Sequence, residues 1–332
     1  MKIRLKYISK YRTQLMGAAM LWVMLFHSLG DISIPILGKI KSIGYGGVDI
    51  FLFLSGIGLY FSLTKSSNIK DYYKKRLLRI YPYYIPIVLM FSLFAVIKNH
   101  YPIPIIFTNI TAIAFFLKPV YALGGAYRFD WYIPSLLALY LVTPAFFRFF
   151  KKKAVLSTIA VSCIAIIFSI LIVFSDNWRY LLIFTTRIPI FFIGLLIGKY
   201  IKEGKELNNK SLCFLFLAFI AGCGILVFCI SRFSGALWYY GLWWYPFILI
   251  TLPLSLLISC CMNSFSNYKF PILTFIGQYT LSIYLIHERS ISILTNIFES
   301  NRIINVLSFI ATIILAYFYQ NAISYIMKKI RL

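Results

Sequence analysis

The feature that most constrains this chain is a series of apolar stretches, each about 20 residues long, recurring from near residue 15 to residue 326. A helix of that length matches the hydrocarbon layer of a bilayer, which is about 30 Å thick. Lipid offers no hydrogen-bond partners to the backbone, so such stretches cross it as helices. The composition, 61% hydrophobic and 13% charged, leaves too little polar surface for a soluble fold of this size. We therefore predict an all-α, polytopic integral membrane protein with about ten transmembrane helices.

The spans can be located approximately from the apolar runs. We place them at 14–30, 44–64, 80–97, 104–119, 131–147, 154–174, 180–198, 211–230, 242–261 and 271–326, the last region holding two helices split near 288–302. The stretch 104–119 is the shortest, and we interpret it as part of an outer excursion rather than a crossing. No cleavage pattern follows the first stretch, which is therefore predicted to be a transmembrane helix and not a signal peptide. Spans and short loops account for nearly all of residues 1–332, which predicts a single membrane-embedded domain with no attached soluble domain.

The distribution of charge predicts the orientation of the chain. The net charge is +24, from 33 Lys and Arg against 9 Asp and Glu. Most of the basic residues fall on one side of the predicted spans, in the segments 1–12, 65–79, 148–153, 199–210, 262–270 and 327–332. Basic segments resist translocation, which predicts cytoplasmic termini in a multi-pass protein of the plasma membrane, with contacts to anionic membrane lipids. No folded basic domain is left to bind nucleic acid.

Four ionisable residues lie where a membrane span should exclude them. His27 is roughly 18 Å into the first span, in its outer half, and Asp49, His287 and Glu288 are predicted at a similar depth. An imidazole held by a carboxylate is the arrangement of a general base, so we predict that His27 and Asp49 are catalytic. The alternatives are an interhelical hydrogen bond for His27 and an interfacial position for His287. The six cysteines lie in apolar runs without the spacing of metal ligands, so we expect neither disulfides nor a metal site.

A second cluster lies in the basic segment that precedes the third span. Arg76 and Arg79 are three residues apart and share one face of a helix. Two guanidinium groups on one face suit a phosphate ligand, which each can bind through paired hydrogen bonds. The alternative is that both arginines only anchor the helix at the cytoplasmic surface. Spacing alone favours that simpler interpretation.

The same segments resemble those of the acyltransferase family 3 membrane proteins, which O-acetylate cell-surface polysaccharides and related acceptors. The similar segments, in the same order as in the family, are MGAAMLWVMLFHS (16–28), GYGGVDIFLFLSGIGL (44–59), KKRLLRIYP (74–82), WYIPSLLALYLVTP (131–144), RIPIFFIGLLIG (187–198) and GQYTLSIYLIH (277–287). The resemblance implies that His27 is the essential histidine. The family has an arginine eleven residues before it, where this chain has Met16. Arg12, one helical turn earlier, is the candidate to replace it.

The resemblance implies a mechanism for the two clusters. Arg76 and Arg79, with Arg12, would bind acetyl-CoA or another acyl-CoA as donor substrate at the cytoplasmic side, and no cofactor would be resident. The pantetheine arm would bring the thioester through the membrane towards His27. This histidine would activate a hydroxyl of a cell-surface or lipid-linked glycan, either directly or through a covalent acetyl-enzyme.

Outer-side residues would support the acceptor. The candidates singled out for this role are Arg187, Trp131, His287 and Glu288, and outer arginines and aromatic residues that could also meet a glycan are Arg128, Arg179, Arg232, Arg289, Trp238, Tyr239, Trp243 and Trp244. The main alternative function is a transporter or exporter of a polysaccharide or lipid-linked intermediate, which also needs intramembrane charge. A family member that does not acylate is a further alternative.

Overall fold

The structure of the protein is a computed structural model that describes residues 3–28, 34–65, 68–117, 130–232, 241–298 and 302–330. The helices are α1 (Lys6–Lys10), α2 (Arg12–His27), α3 (Pro35–Ser42), α4 (Gly47–Lys65), α5 (Ile69–Asn99), α6 (Pro104–Ile110), α7 (Tyr132–Lys152), α8 (Ala154–Val173), α9 (Leu182–Thr185), α10 (Ile188–Lys202), α11 (Asn209–Arg232), α12 (Phe247–Ser264), α13 (Pro271–Gln278), α14 (Thr280–Ile297) and α15 (Arg302–Lys329). Short 3₁₀ turns cover Gly44–Gly46 and Arg179–Leu181. A short antiparallel pair joins β1 (Ile3–Arg4) to β2 (Glu206–Leu207).

Within the described ranges, eight helical segments are long and apolar enough to cross a membrane. They are Gly44–Lys65, Ile69–Lys98, Tyr132–Lys152, Ala154–Val173, Arg179–Lys202, Asn209–Arg232, Phe247–Ser264 and Ile303–Lys329. The prediction of an all-α polytopic membrane protein is therefore confirmed. Two further predicted spans correspond to α2, which has 16 residues, and to α14, which carries charged residues near its centre.

Two local predictions can be compared with the helix bounds. In the described part of the predicted stretch 104–119, residues 104–117, the helix is the seven-residue α6, which is followed by turns and is too short to cross a bilayer. The predicted break near 288–302 is shorter than expected, because α14 continues past Glu288 and Arg289 to Ile297 and α15 begins at Arg302. Both charged side chains are exposed and therefore do not interrupt the buried face of the helix.

The chain divides into two compact units. Unit 1 comprises Met1–Leu5 and Leu52–Leu254, and unit 2 comprises Lys6–Phe51 and Ser255–Leu332. In unit 1, α8 packs on α7 and α10, and α5 packs on α6 and α7. Helices α4 and α10 approach so closely that a side chain at Gly56 or Gly194 would collide with the backbone of the other helix. Small residues at such crossings are typical of membrane helices.

In unit 2, α2 packs closely on α13, and α14 packs along α15. Hydroxyl and amide groups connect the second pair, since Ser282 donates to Gln320 at 3.0 Å and the hydroxyls of Ser290 and Thr312 lie 2.6 Å apart. Hydrogen bonds between polar side chains are a common way for membrane helices to associate, because lipid offers these groups no partners. The two polar contacts therefore fix how α14 is placed against α15.

Candidate active site

The side chains of His27 and His287 contact each other in unit 2. His27 is the last residue of α2, and His287 lies near the middle of α14, which packs against α2. The two imidazole rings meet edge to face, with their centroids 5.0 Å apart. His287 is only 2% exposed, whereas His27 is partly accessible. Of the two rings, His27 is therefore the one that a second molecule can reach.

The protonation pattern of His287 follows from its hydrogen bond. Its Nδ1 lies 2.7 Å from the carbonyl oxygen of Tyr284, one turn earlier in α14. A carbonyl oxygen can only accept, so Nδ1 carries the proton and donates it. In the neutral ring Nε2 is then an acceptor, and this atom is buried without a hydrogen-bond partner among the described residues. His287 thus contributes a buried lone pair to the cluster.

The surroundings of the imidazole pair combine charge with rigid support. Glu288 is exposed, and its carboxylate is close enough to act electrostatically on His27. On the other side of the helix, Ser290 donates to the carbonyl of His287 at 3.2 Å and contacts Thr312 on α15. The structure therefore brings together three of the predicted site residues, His27, His287 and Glu288, and ties their helix to its neighbour.

Asp49 lies in the first turn of α4 and is fully buried. Nearby Gly47 packs against Ala19 and Val23 of α2. His27 follows Ala19 by eight residues, which is about 12 Å along the helix axis. The carboxylate described as acting electrostatically on His27 is that of Glu288. The pairing of His27 with Asp49 therefore stays a prediction.

Arg12 occupies the opposite end of α2 from His27. It is the first residue of the helix, is half-buried, and lies about 22 Å from His27 along the axis. The proposal that it replaces the arginine absent at Met16 stays a prediction.

Arg76 and Arg79 lie in unit 1, in the first half of α5. The guanidinium carbon of Arg76 is 5.9 Å from the ring centroid of Tyr72 and 5.8 Å from that of Tyr140. Within the described part of the chain, Arg76 has neither an ion pair nor a hydrogen bond, and its Nε is buried. Arg79 is exposed. Arg76 therefore keeps hydrogen-bond donors available to an anionic ligand.

Arg187 lies between two indole rings, also in unit 1. It is 1% exposed, and its guanidinium carbon is 5.1 Å from the ring centroid of Trp131 and 5.2 Å from that of Trp244. Its Nη1 donates to the carbonyl of Ile183 at 2.7 Å. Asp130 fixes the position of Trp131, because its carboxylate accepts the two backbone N–H groups at the start of α7 at 2.9 and 2.7 Å. A buried guanidinium thus orients both indoles.

The remaining predicted outer-side residues are scattered. Arg179 forms an ion pair with Asp176 at 2.7 Å, and Arg232 and Arg289 are exposed. Arg128, Trp238 and Tyr239 lie outside the described residues. Sequence reasoning missed Tyr72 and Tyr140 as neighbours of Arg76, and it missed Thr312 as support for the histidine pair. For Tyr140 the sequence contains a signal, because Pro144, four residues further along the same helix, has no N–H to donate to the Tyr140 carbonyl.

The fold and these clusters define a polytopic helical membrane protein with an accessible imidazole in contact with a buried one. The family model of the acyltransferase domain, Acyl_transf_3, matches residues 15–320. This range contains His27, His287, Arg76 and Arg79. The chain therefore belongs to the acyltransferase 3 family, which confirms the predicted membership and makes the protein a membrane acyltransferase. No curated protein and no solved structure gives a match to this chain.

Proposed function

We propose that this protein transfers an acetyl or similar acyl group from acyl-CoA to a hydroxyl of a cell-surface or lipid-linked glycan. The observation that carries the proposal is the contact between the accessible His27 and the buried His287 in a chain of this family. In this proposal His27 is the general base. The excess of basic residues in alternate loops supports a plasma-membrane location with both termini in the cytoplasm.

The chemical step balances with His27 as the proton carrier. The imidazole removes the proton of the acceptor hydroxyl while the oxygen attacks the thioester carbonyl. The new carbon–oxygen bond forms, the carbon–sulfur bond breaks, and the thiolate of CoA leaves and takes up the proton from His27. The carboxylate of Glu288 stabilises the imidazolium that exists between these two transfers. His287 packs against the ring and limits its orientation.

The availability of Arg76 supports a role in donor binding. A guanidinium without a carboxylate partner among the described residues retains its charge and its donors for a phosphate. Arg79 lies on the same face of α5 and adds a second charge, so the pair suits the phosphates of CoA. A role for Arg12 in donor binding stays a prediction from the sequence.

The indole of Trp131 supports acceptor binding. Aromatic rings stack on sugars, and Trp131 is partly exposed, whereas the neighbouring Arg187 is almost completely buried. We therefore assign the contact with the acceptor to Trp131, and we assign to Arg187 the task of holding the ring. We likewise assign to His287 and Glu288 a supporting role, towards His27.

A comparison of cells with and without the protein tests the proposed function. Mass spectrometry of cell-surface glycans should show a lost acetyl group, and membranes that contain the protein should transfer label from [14C]acetyl-CoA to the isolated glycan. Loss of export of an unmodified glycan, with no labelled product, would instead indicate the transporter function. Transfer to an amine rather than a hydroxyl would contradict the assignment of the acceptor.

Replacing Arg76 and Arg79 together by glutamine should weaken the binding of CoA by about 10- to 100-fold, because a charged hydrogen bond from the half-buried Arg76 contributes about 1.5–3 kcal/mol and the exposed Arg79 adds little. The measurement is calorimetric titration of CoA into the purified protein in nanodiscs. Exchange of the exposed neighbours Lys74 and Lys75 for glutamine is the matched control. This control removes the same number of positive charges from the same helix, and it should change the affinity for CoA only a few-fold. Equal losses in both variants would reduce the arginines to a general charge effect.

A further inference from the structure

A proline in α7 creates an unusual hydrogen-bonding position in unit 1. Pro144 has no backbone N–H, so the carbonyl of Tyr140, four residues earlier, loses its helical partner. The hydroxyl of Tyr72 on α5 donates to this carbonyl at 3.0 Å. In an apolar environment a carbonyl without a partner is costly, so this bond holds the Tyr72 side chain in one place. Tyr72 is only 2% exposed.

The adjacent tyrosine makes a similar bond with a different surrounding. Tyr73 donates from its hydroxyl to the carbonyl of Leu141 at 2.9 Å, one residue further along α7. The two tyrosines therefore connect the same two helices through the same chemical groups. Of these two tyrosines, Tyr72 is the one whose ring is described in contact with Arg76. The chain thus contains its own control for the contribution of a hydroxyl–carbonyl bond.

The guanidinium of Arg76 is held by two rings that the same hydrogen bond connects. It lies 5.9 Å from the centroid of Tyr72 and 5.8 Å from that of Tyr140, and Tyr72 donates to the backbone of Tyr140. Elsewhere in the described structure no carboxylate or hydrogen-bond acceptor holds Arg76. A free arginine side chain loses about 2 kcal/mol of rotamer entropy when it is fixed. The two cation–π contacts meet part of that cost before a ligand arrives.

We propose that Tyr72 is a positioning residue that preorganises Arg76 for the phosphates of the donor. The proposal rests on the proposed function, because it takes Arg76 to bind CoA. The Tyr72 hydroxyl anchors the ring to the carbonyl exposed by Pro144, and the anchored ring holds the guanidinium with its donors available. Tyr72 does not touch the reacting atoms, so its effect is confined to donor binding.

Exchange of Tyr72 for phenylalanine tests this inference. The variant keeps the ring and removes the anchor. The Kd for CoA and the KM for acetyl-CoA should therefore each rise about 3- to 10-fold, the effect of losing about 1 kcal/mol. The kcat at saturating donor should stay at the wild-type value. Tyr73→Phe is the matched control, and it should leave the affinity for CoA unchanged while also removing a hydroxyl–carbonyl hydrogen bond between α5 and α7.

Combination with Arg76→Gln identifies how Tyr72 acts. In the Arg76→Gln background, Tyr72→Phe should have no further effect on CoA affinity, because the group that it positions is gone. Equal effects of Tyr72→Phe and Tyr73→Phe, or additive effects with Arg76→Gln, would overturn the inference. An unchanged affinity in Arg76→Gln alone would instead overturn the donor site of the proposed function. The two failures are therefore distinguishable.

Discussion

Replacement of His27 by asparagine is expected to reduce acyl transfer to a small residual rate while leaving the protein inserted in the membrane. Asparagine keeps a polar group of similar size against His287, but its amide cannot take up a proton from a hydroxyl. General base catalysis contributes about 10²- to 10⁴-fold, so the rate of transfer should fall by that factor. The measurement is label transferred from [14C]acetyl-CoA by equal amounts of purified wild-type and variant protein.

His100 provides the matched control for that experiment. His100 follows α5 as an exposed residue with a left-handed backbone, a conformation that asparagine also tolerates. His100→Asn therefore makes the same chemical change away from the imidazole pair, and it should leave transfer at the wild-type rate. If His27→Asn retained wild-type transfer, or if both variants lost activity equally, His27 would not be the base.

The helical architecture could be predicted from the sequence because the bilayer restricts the choice of structure so severely. An apolar stretch of sufficient length has to be helical in lipid, and this rule locates the eight helices of the described residues that are long and apolar enough to cross, without any knowledge of their contacts. It also separated the short α6 from the true crossings. Hydropathy does not report where a helix stops when its charged residues face outward, and for this reason α14 extends further into the predicted break than the sequence indicates.

The site was only partly predictable, because depth along a helix does not specify its rotation. Depth suggested that His27 and His287 lie at one level, but the direction in which each ring points depends on how α14 packs against α2. The sequence favours Asp49 as the partner of His27, because a buried carboxylate needs a partner. The electrostatic contact with Glu288 involves an exposed carboxylate, which that argument does not detect.

Backbone groups explain a further part of what the sequence concealed. The proline at position 144 indicates that a carbonyl of α7 lacks a partner, yet nothing in the sequence names Tyr72 as the donor. The same holds for glycine, which permits a close helix crossing without specifying the other helix. Gly17 and Gly277 illustrate this, because they are far apart in the chain and serve one crossing.

Replacement of Gly277 by alanine should strongly destabilise the packing of α2 on α13. The added methyl group would collide with the backbone carbonyl of Thr13, and the equivalent group at Gly17 would collide with that of Leu273. Backbone cannot move aside as a flexible side chain does, so the two helices have to separate. Overpacking of this kind costs about 1–3 kcal/mol, and we expect a lower melting temperature and a smaller yield of folded protein in detergent.

Alanine at Gly224 is the matched control for this change, since the space around it is open in the described structure. Both glycines are helical, and alanine favours a helix by about 0.5–1 kcal/mol over glycine. Gly224→Ala should therefore melt at or slightly above the wild-type temperature, whereas Gly277→Ala should melt below it. Because α2 also carries His27 at its end, separation from α13 should lower acyl transfer in the Gly277 variant as well. Equal melting temperatures in the two variants would mean that α2 and α13 do not meet at this crossing.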